Sequence, residues 1–303
     1  MTNKKLSGSL LGALLVTALA SGTAFAGAAL DQIRTSGHLR LAYLSSAKPF
    51  TSPGSGGAVE GYSAVLCERI AARVKSQLGL PQLAVDWVEV RPDNALGAIP
   101  GGQADILCTP TNATLERRKT LSYSLPVFAG GIRAVVRKDL SPALRDVLEA
   151  NPSTRNVWRG SPAMTVIEKT TFATVAGTSS EKWLAGKVSG FKLNTVTVSV
   201  PDYATGLKFL AEHKIDVFLA ERDVVLATMT DSDRTNLVVL GRQHTQEPLA
   251  LALPRGDEDL RLLVDTELTA AFNSSEFSSL YVKHFGRFDD ATRNFFGWVT
   301  PPP

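Results

Sequence analysis

Short β-branched segments alternate with helix-forming segments twice along this sequence. Strands of the first series are predicted over residues 39–43, 83–90 and 104–107. The helices between them are predicted over residues 63–78 and 94–99. The longer helix carries Leu66, Ile70 and Val74 on one face, which is the spacing of a helix packed on a core. The β-α-β-α-β order predicts a sheet covered by helices.

A second series begins after a stretch that prolines interrupt. Its strands are predicted over residues 172–175, 195–198, 215–219 and 237–240. Its helices are predicted after Thr178 and over residues 204–212 and 223–229. Two similar units in series indicate two lobes of related build rather than one continuous sheet.

The C-terminal part is too small to fold alone. It consists of a predicted strand over 249–253 and predicted helices over 258–273 and 276–284. We therefore expect it to return to the first lobe, which requires two crossings between the lobes. Gly130 and Gly131 are a candidate for one hinge, since glycine tolerates backbone conformations that other residues avoid.

These patterns predict an α/β protein with two lobes and a hinge of two crossover segments. Lobe 1 is expected over residues 27–129 plus 248–303, and lobe 2 over residues 130–247. Residues 141–169, which contain Pro142, Pro152 and Pro162, are interpreted as a surface insertion on lobe 2.

The N-terminus has the features of a secretory signal peptide. Lys4 and Lys5 precede an uncharged apolar stretch over residues 10–20, and Ala24-Phe25-Ala26 matches a small-x-small cleavage site. We expect export to the periplasm with cleavage after Ala26, so that residues 1–26 are removed. The alternative is a membrane anchor, but the apolar stretch is shorter than the roughly 20 residues of a bilayer span.

Composition argues against nucleic-acid binding, metal binding and cofactors. The 303 residues include 44% hydrophobic residues and carry a net charge of +3, as in ordinary globular proteins. No basic tract is interleaved with aromatic residues as in nucleic-acid-binding proteins. The four histidines show no ligand spacing, so we expect neither a metal nor a cofactor.

Cys67 and Cys108 are the two cysteines of the chain. In an oxidising compartment such a pair most simply forms a disulfide, although two buried free thiols remain the alternative. A bond between them would close a loop of about 40 residues, worth roughly 4 kcal/mol on the chain-entropy model.

Residues 108–119, with the sequence CTPTNATLERRK, carry the most specific chemical signal. Hydroxyl and amide side chains occupy a predicted strand-to-helix turn, and Arg117 follows one turn later. A helix N-terminus and an Arg fork both suit a carboxylate. In the alternative interpretation, Thr114 merely caps the helix and Arg117 is a solvated surface charge.

Several short motifs together resemble bacterial extracellular solute-binding proteins of family 3, the polar amino-acid-binding components of ABC importers. The matching segments are Gly61-Tyr62-Ser63, Gly102-x-x-Asp105, Thr111-x-x-x-x-Glu116-Arg117-x-Lys119, Tyr123-Ser124, Ala176-Gly177-Thr178-Ser179, residues 216–222 (DVFLAER) and residues 247–254 (EPLALALP). The resemblance covers nearly the whole mature chain except residues 141–169. It is nearest to the glutamate/aspartate-binding branch, where a Cys also precedes the Arg motif. It implies the two-lobed type II fold of periplasmic binding proteins.

The resemblance also implies roles for individual residues. Arg117 would hold the α-carboxylate of the ligand, and Glu221 stands where the family usually has an Asp that pairs with the α-ammonium. The other residues implied to contact the ligand are Asn112, the backbone near Pro110, Thr178, Ser179, Tyr203, Leu44 and Phe50.

Two departures from the family pattern affect the expected ligand. Leu44 replaces an Arg that serves the second carboxylate of acidic ligands, so we expect a neutral and even apolar ligand side chain. Glu221 is one methylene longer than the usual Asp. A surface ion pair between Glu221 and Arg222 is the alternative to ammonium binding.

We therefore expect a monomeric, non-catalytic binding protein that delivers an amino acid or related small carboxylate to the membrane permease of an ABC importer. Two alternatives stay open. One is a dehydratase-like enzyme on the same scaffold, with Glu221 as general acid. The other is a periplasmic sensor module.

Overall fold

A computed structural model describes Thr2 and residues 27–149 and 162–302. The strands are β1 (His38–Leu44), β2 (Ser52–Pro53), β3 (Val59–Glu60), β4 (Ala84–Val90), β5 (Ile106–Asn112), β6 (Leu121–Gly130), β7 (Ile132–Arg137), β8 (Thr171–Val175), β9 (Val196–Val200), β10 (Val217–Glu221), β11 (Leu237–Gln243) and β12 (Glu247–Pro254). The helices are α1 (Ala28–Ser36), α2 (Tyr62–Leu78), α3 (Pro142–Glu149), α4 (Pro162–Glu168), α5 (Ser179–Phe191), α6 (Tyr203–Ala211), α7 (Arg222–Thr228), α8 (Asp231–Asn236), α9 (Glu258–Phe272), α10 (Phe277–Phe285) and α11 (Asp290–Val299). Single 3-10 turns occur at Ser55–Gly57 and Arg117–Lys119.

The first large sheet has the strand order β4-β1-β5-β12-β6. Strands β4, β1 and β5 are parallel, while β12 runs antiparallel to both of its neighbours. Helices α2 and α9 pack on each other and on this sheet, with Leu66, Ile70, Leu260 and Leu268 fully buried. The C-terminal part of the chain thus completes the core of the first sheet, because β12 and α9 belong to it.

The second large sheet has the order β11-β7-β10-β8-β9. Strands β10, β8 and β9 are parallel, and β7 is antiparallel to β10 and β11. Helices α5 and α6 cover it, and Phe218 and Leu210 lie fully buried in its core. Each sheet therefore has its own apolar core.

Two short segments connect the sheets. Gly131 alone separates β6 from β7, and residues 244–246 separate β11 from β12. The segments are hydrogen-bonded to each other: His244 N donates to Ile132 O over 2.8 Å, and Ile132 N donates to Thr245 Oγ1 over 3.0 Å. The crossings therefore lie side by side, which is the arrangement of a hinge between two bodies.

Gly131 lies in this narrow region. A Cβ atom at this position would overlap the carbonyl oxygen of Thr245 and the side-chain amide of Gln243. Glycine is required here because the two crossings approach each other closely, not because of an unusual backbone angle.

Most of the predicted elements are confirmed, with ends that differ by a few residues. The helix predicted over residues 94–99 is wrong, since residues 92–102 form a run of consecutive turns. Gly97 and Pro100 interrupt it, and its hydrogen bonds, such as Ala98 N to Asn94 O, do not follow one another as in a helix.

Strand β6 was not predicted, because Pro126 interrupts its pattern. The strand lies at the edge of the first sheet, where a proline is tolerated since one side needs no ladder hydrogen bonds. Strand β7 and helices α1 and α11 were not predicted either.

The segment interpreted as a surface insertion is partly integrated into the core. Leu144 and Leu148 of α3 are buried with Leu240 of β11 and Val217 of β10. Helix α3 therefore packs on the second sheet, while residues 150–161 lie outside the described part of the chain.

The predicted disulfide is confirmed. Cys67 of α2 is bonded to Cys108 of β5, and both side chains are fully buried. The bond ties a covering helix to a central strand of the first sheet. The predicted signal peptide, apart from Thr2, lies outside the described residues. Within residues 27–149 and 162–302, every helix is too short or too polar to cross a bilayer.

Candidate ligand-binding site

A cavity of about 120 Å³ lies between the two large sheets. One water molecule needs about 10–15 Å³ by this measure, so the cavity has room for a small organic molecule. All nine residues implied to contact a ligand line its wall: Leu44, Phe50, Pro110, Asn112, Arg117, Thr178, Ser179, Tyr203 and Glu221.

Strand ends explain why these residues meet. Leu44 ends β1 and Asn112 ends β5 in the first sheet, while Val175 ends β8 and Glu221 ends β10 in the second. Parallel strands bring their carboxyl ends to the same edge, where open α/β sheets bind their ligands. The cavity is where these two edges face each other.

Arg117 is the buried cation of the cavity, with 8% of its surface exposed. Its Nη1 donates to Thr111 Oγ1 over 2.7 Å and to the Asn112 carbonyl over 2.9 Å. Its Nη2 reaches the Gly177 carbonyl, on the second-sheet side, over 3.4 Å. Burial lowers the pKa of the guanidinium. In the described part of the chain, no carboxylate lies within 4.0 Å of it.

The turn that carries Arg117 differs from the predicted one. The expected helix N-terminus is only the three-residue 3-10 turn Arg117–Lys119, so it adds no substantial dipole. Thr114 Oγ1 accepts a hydrogen bond from Arg117 N over 3.2 Å, as the capping alternative proposed. The other half of that alternative, a solvated Arg117, is wrong because the side chain is buried.

The second-sheet side of the cavity begins at the start of α5. Thr178 caps this helix by accepting a hydrogen bond from Glu181 N over 3.4 Å. Ser179 follows as the first helical residue, and its hydroxyl donates to Glu247 Oε2 over 2.7 Å. The capping sequence thus fixes the position of a hydroxyl that faces the first sheet.

Glu221 sits where β10 ends, and its Oε2 accepts a hydrogen bond of 2.7 Å from Gly131 N. Burial raises the pKa of its carboxyl to about 8, with smaller contributions from the charges of Asp223 and Glu247. Arg222 forms its ion pair with Asp223 over 2.6 Å instead of with Glu221. At neutral pH the side chain is therefore mostly protonated until a cation approaches.

Glu247 is a polar residue of the cavity wall that sequence reasoning did not single out. It begins β12 and is 8% exposed. Asn112, Ser179 and Thr245 all donate hydrogen bonds to its carboxylate, over 2.9, 2.7 and 2.7 Å. The available signal was a charged residue at the head of the otherwise apolar segment 247–254.

The rest of the wall is largely apolar. Its aliphatic and aromatic members include Leu44, Ala47, Phe50, Leu96, Leu107, Ile132, Val175, Val224 and Leu249. Tyr203 closes the wall from α6, and burial raises the pKa of its hydroxyl. Across the described ranges, His, Cys, Asp and Glu side chains form no group of three or more that could hold a metal.

The sequence matches a known protein family over most of its length. The model of the bacterial extracellular solute-binding proteins, family 3, covers residues 39–287. An L-glutamate/L-aspartate-binding protein of Pseudomonas aeruginosa is 25% identical over 93% of this chain and 88% of its own length. An L-cystine-binding protein of Escherichia coli is 23% identical over 85% of this chain and 86% of its own length.

Solved structures match the two-lobed arrangement. A mutant of ArgBP from T. maritima has a TM-score of 0.68 at 20% identity, over 86% of this chain and 100% of that one. The ancestral amino acid-binding protein AncCDT-1, a precursor of cyclohexadienyl dehydratase, has a TM-score of 0.66 at 22% identity. The match covers 84% of this chain and 98% of that one. These matches confirm the predicted type II fold. The chain belongs to the bacterial extracellular solute-binding proteins, family 3.

Proposed function

We propose that this protein captures an amino acid or a related small carboxylate in the periplasm and delivers it to the permease of an ABC importer. The observation that carries the proposal is Arg117, a buried guanidinium in an inter-sheet cavity with no carboxylate partner among the described residues. Glu247 attracts the guanidinium from a distance, but no carboxylate of the described residues contacts it. A buried charge without a contacting counter-ion is costly, so the site favours an anion supplied from outside.

The α-carboxylate of the ligand would bind to Arg117, helped by the backbone near Pro110 and by Asn112, Thr178 and Ser179. Each charge-assisted hydrogen bond contributes about 1.5–3 kcal/mol, whereas micromolar affinity corresponds to about 8 kcal/mol. A few such bonds suffice only where water is excluded, because the local field is stronger there. Closure of the two lobes supplies that exclusion.

Closure would move residues 27–129 plus 248–303 against residues 130–247, with the two crossings as the hinge. The paired hydrogen bonds between Ile132 and residues 244–245 support this division. Arg117 and Gly177 already touch across the cavity, which supports ligand contacts from both lobes.

The ligand side chain would be neutral, since the wall beside Leu44 is largely aliphatic and the described lining has no second cation to pair with a second carboxylate. Several relatives are described as binding glutamate and aspartate, so this chain would differ from them in specificity. We further propose export with cleavage after Ala26, and a monomeric mature protein; the description of the family as extracellular supports export.

The proposal is tested with purified protein in a thermal-shift screen against the twenty L-amino acids and a set of small organic acids. The tightest ligand is then measured by calorimetry on Arg117→Ala, with Arg118→Ala as the matched control because Arg118 is exposed. Arg117→Ala should lower affinity at least tenfold, and Arg118→Ala should leave it unchanged. Equal affinities for wild type and Arg117→Ala would reject the proposed carboxylate site.

A second candidate function is a dehydratase-like enzyme, and the raised pKa of Glu221 favours it. A carboxyl with a pKa of about 8 is protonated at neutral pH, as a general acid must be. Incubation with prephenate and with arogenate tests it. Product formation that disappears in Glu221→Gln would support the enzyme, and an absence of turnover in the wild type would leave binding as the function.

A further inference from the structure

Glu247 has no role in the proposed carboxylate site, although it lies in the same cavity. The residue is 8% exposed, and its carboxylate accepts hydrogen bonds from three neutral donors. Oε2 accepts from Asn112 Nδ2 and Ser179 Oγ, and Oε1 accepts from Thr245 Oγ1. All three hydrogen bonds run from neutral donors to Glu247, whose two oxygens act as acceptors.

Asn112 and Ser179 are both implied to bind the carboxylate of the ligand. Asn112 belongs to the first sheet and Ser179 to the lobe of the second, and both donate to the same oxygen of Glu247. The single hydroxyl proton of Ser179 is donated to Glu247, so Ser179 must release Glu247 before it can donate to a ligand carboxylate. The negative charge therefore sits between the two lobes, beside the position assigned to the ligand.

The balance of charge in the cavity is uneven. Arg117 is its one cation among the described residues, whereas Glu221 and Glu247 are two carboxyl groups of the same wall. No Lys, Arg or His nitrogen of the described chain lies within 4.0 Å of either carboxyl. The charge of Glu247 also contributes to the raised pKa of Glu221, so the two groups are close enough to repel.

Each of these carboxyl groups is anchored to a different crossing between the lobes. Gly131, on the first crossing, donates to Glu221 over 2.7 Å. Thr245, on the second, donates to Glu247 over 2.7 Å. A cation that neutralised both groups would therefore join the two hinge segments through the ligand.

We propose that Glu247 is the second carboxylate of the ligand's ammonium subsite, so that the ammonium contacts both Glu221 and Glu247. This inference rests on the proposed function, since it assumes a ligand whose carboxylate binds to Arg117. An ammonium has three N–H donors, enough for two carboxylates and one backbone carbonyl. A cation at this place would compensate the charge of Glu247 and favour the ionised form of Glu221.

The test compares two ligands on matched variants. The tightest amino acid found in the screen and its des-amino acid, which keeps the carboxylate but lacks the ammonium, are measured by calorimetry, directly or by competition. The variants are Glu247→Gln, which removes the charge but keeps the shape, Glu221→Gln, and Glu68→Gln as a control at an exposed position of α2. Circular dichroism checks that each variant folds.

Glu247→Gln should reduce the affinity ratio of amino acid to des-amino acid at least tenfold, and Glu221→Gln should also reduce it. Glu68→Gln should leave the ratio unchanged. If Glu247→Gln weakens both ligands equally, or neither, the residue has only a structural role and the inference is wrong. Should Glu247→Gln fail to fold, Glu247→Asp replaces it, because this variant keeps the charge on a shorter side chain. A reduced affinity ratio of amino acid to des-amino acid in Glu247→Asp then supports the inference, and an unchanged ratio rejects it.

Failure of this inference is distinguishable from failure of the proposed function. If the wild type binds no amino acid, or if Arg117→Ala leaves the affinity unchanged, the proposed function is rejected and the ammonium subsite with it. A wild type that depends on Arg117 but not on Glu247 rejects the ammonium subsite alone.

Discussion

The backbone N–H of Gly131 donates a 2.7 Å hydrogen bond to Oε2 of Glu221. One residue lies on a crossing between the lobes and the other in the wall of the cavity, so hinge and site are in direct contact. A Cβ atom on the neighbouring Gly130 would stand 2.7 Å from the same oxygen. The glutamate thus occupies space that a side chain at position 130 would need, which links the small residues of the hinge to the carboxyl of the site.

Glu221 binds its proton more tightly in the folded protein than in the unfolded chain. The stability of the ligand-free protein should therefore fall as pH rises and this proton is lost. The pKa of Glu221 is about 8 in the folded protein and about 4.5 when the chain is unfolded. The folded state therefore binds more protons between these values, and its advantage, on the order of a few kcal/mol, is complete below pH 4.5 and is lost as pH approaches 8. Glu221→Gln should remove this dependence, as measured by thermal unfolding from pH 5 to 8. Glu68→Gln should keep it, and a wild-type slope retained in Glu221→Gln would contradict the assignment.

Ligand binding should release a proton in the same pH range if an ammonium pairs with Glu221. Below pH 8 the carboxyl must lose its proton to form the pair, so affinity should increase with pH by at most tenfold per unit between 6 and 8. Calorimetry in buffers of different ionisation enthalpy measures the number of protons released. Proton release should vanish in Glu221→Gln, and persistent release in that variant would assign it to another group.

Gly131→Ala should impair closure and stability because the added methyl overlaps Thr245 and Gln243. We expect destabilisation of about 1–3 kcal/mol, the usual range for overpacking, together with weaker ligand binding. Gly186→Ala is the matched control, since this helical glycine has open space at its Cβ and alanine favours the helix. Chemical denaturation measures the change in stability, and calorimetry measures the change in ligand affinity. A Gly131→Ala variant with wild-type stability and wild-type affinity would exclude the close approach of the two crossings.

The double variant Cys67→Ala/Cys108→Ala should lose stability without losing the site. The bond closes a loop with a sequence separation of 41, so the chain-entropy model gives about 4 kcal/mol. Ligand affinity at low temperature should stay within a few-fold of the wild-type affinity, because neither cysteine lines the cavity. Urea unfolding with and without reductant checks the first part, and calorimetry checks the second. Unaltered urea unfolding in the variant would show that the bond contributes little.

Leu44→Arg should shift specificity toward acidic ligands. Leu44 lines the cavity, and an Arg there would supply the missing partner for a second carboxylate. The affinity of L-glutamate relative to that of the best neutral amino acid should increase at least tenfold. Leu44→Met, which changes shape without adding charge, should leave that ratio unchanged; an equal ratio in both variants would contradict the role of position 44 in selecting the side chain.

The order of strands and helices was largely readable from local patterns, because period and turn residues are local properties of a chain. The helix expected over 94–99 failed where Gly97 and Pro100 broke it into turns. Strand β6 was hidden by Pro126, which only its position at a sheet edge makes acceptable. Whether a strand lies at the edge or in the centre of a sheet depends on which strands pair with it. That information is not contained in any short segment of the sequence.

By itself the sequence determined the family motifs, the cysteine pair and the nine candidate residues, because spacing and side-chain chemistry are written in the chain. Only the tertiary structure decided that Arg117 is buried with no carboxylate of the described residues in contact, and that Glu221 and Glu247 share one wall although 26 positions separate them. Burial and proximity come from distant strands brought together around the cavity. Because desolvation and charge repulsion depend on those distances, the electrostatics of the site appears only once the chain is folded.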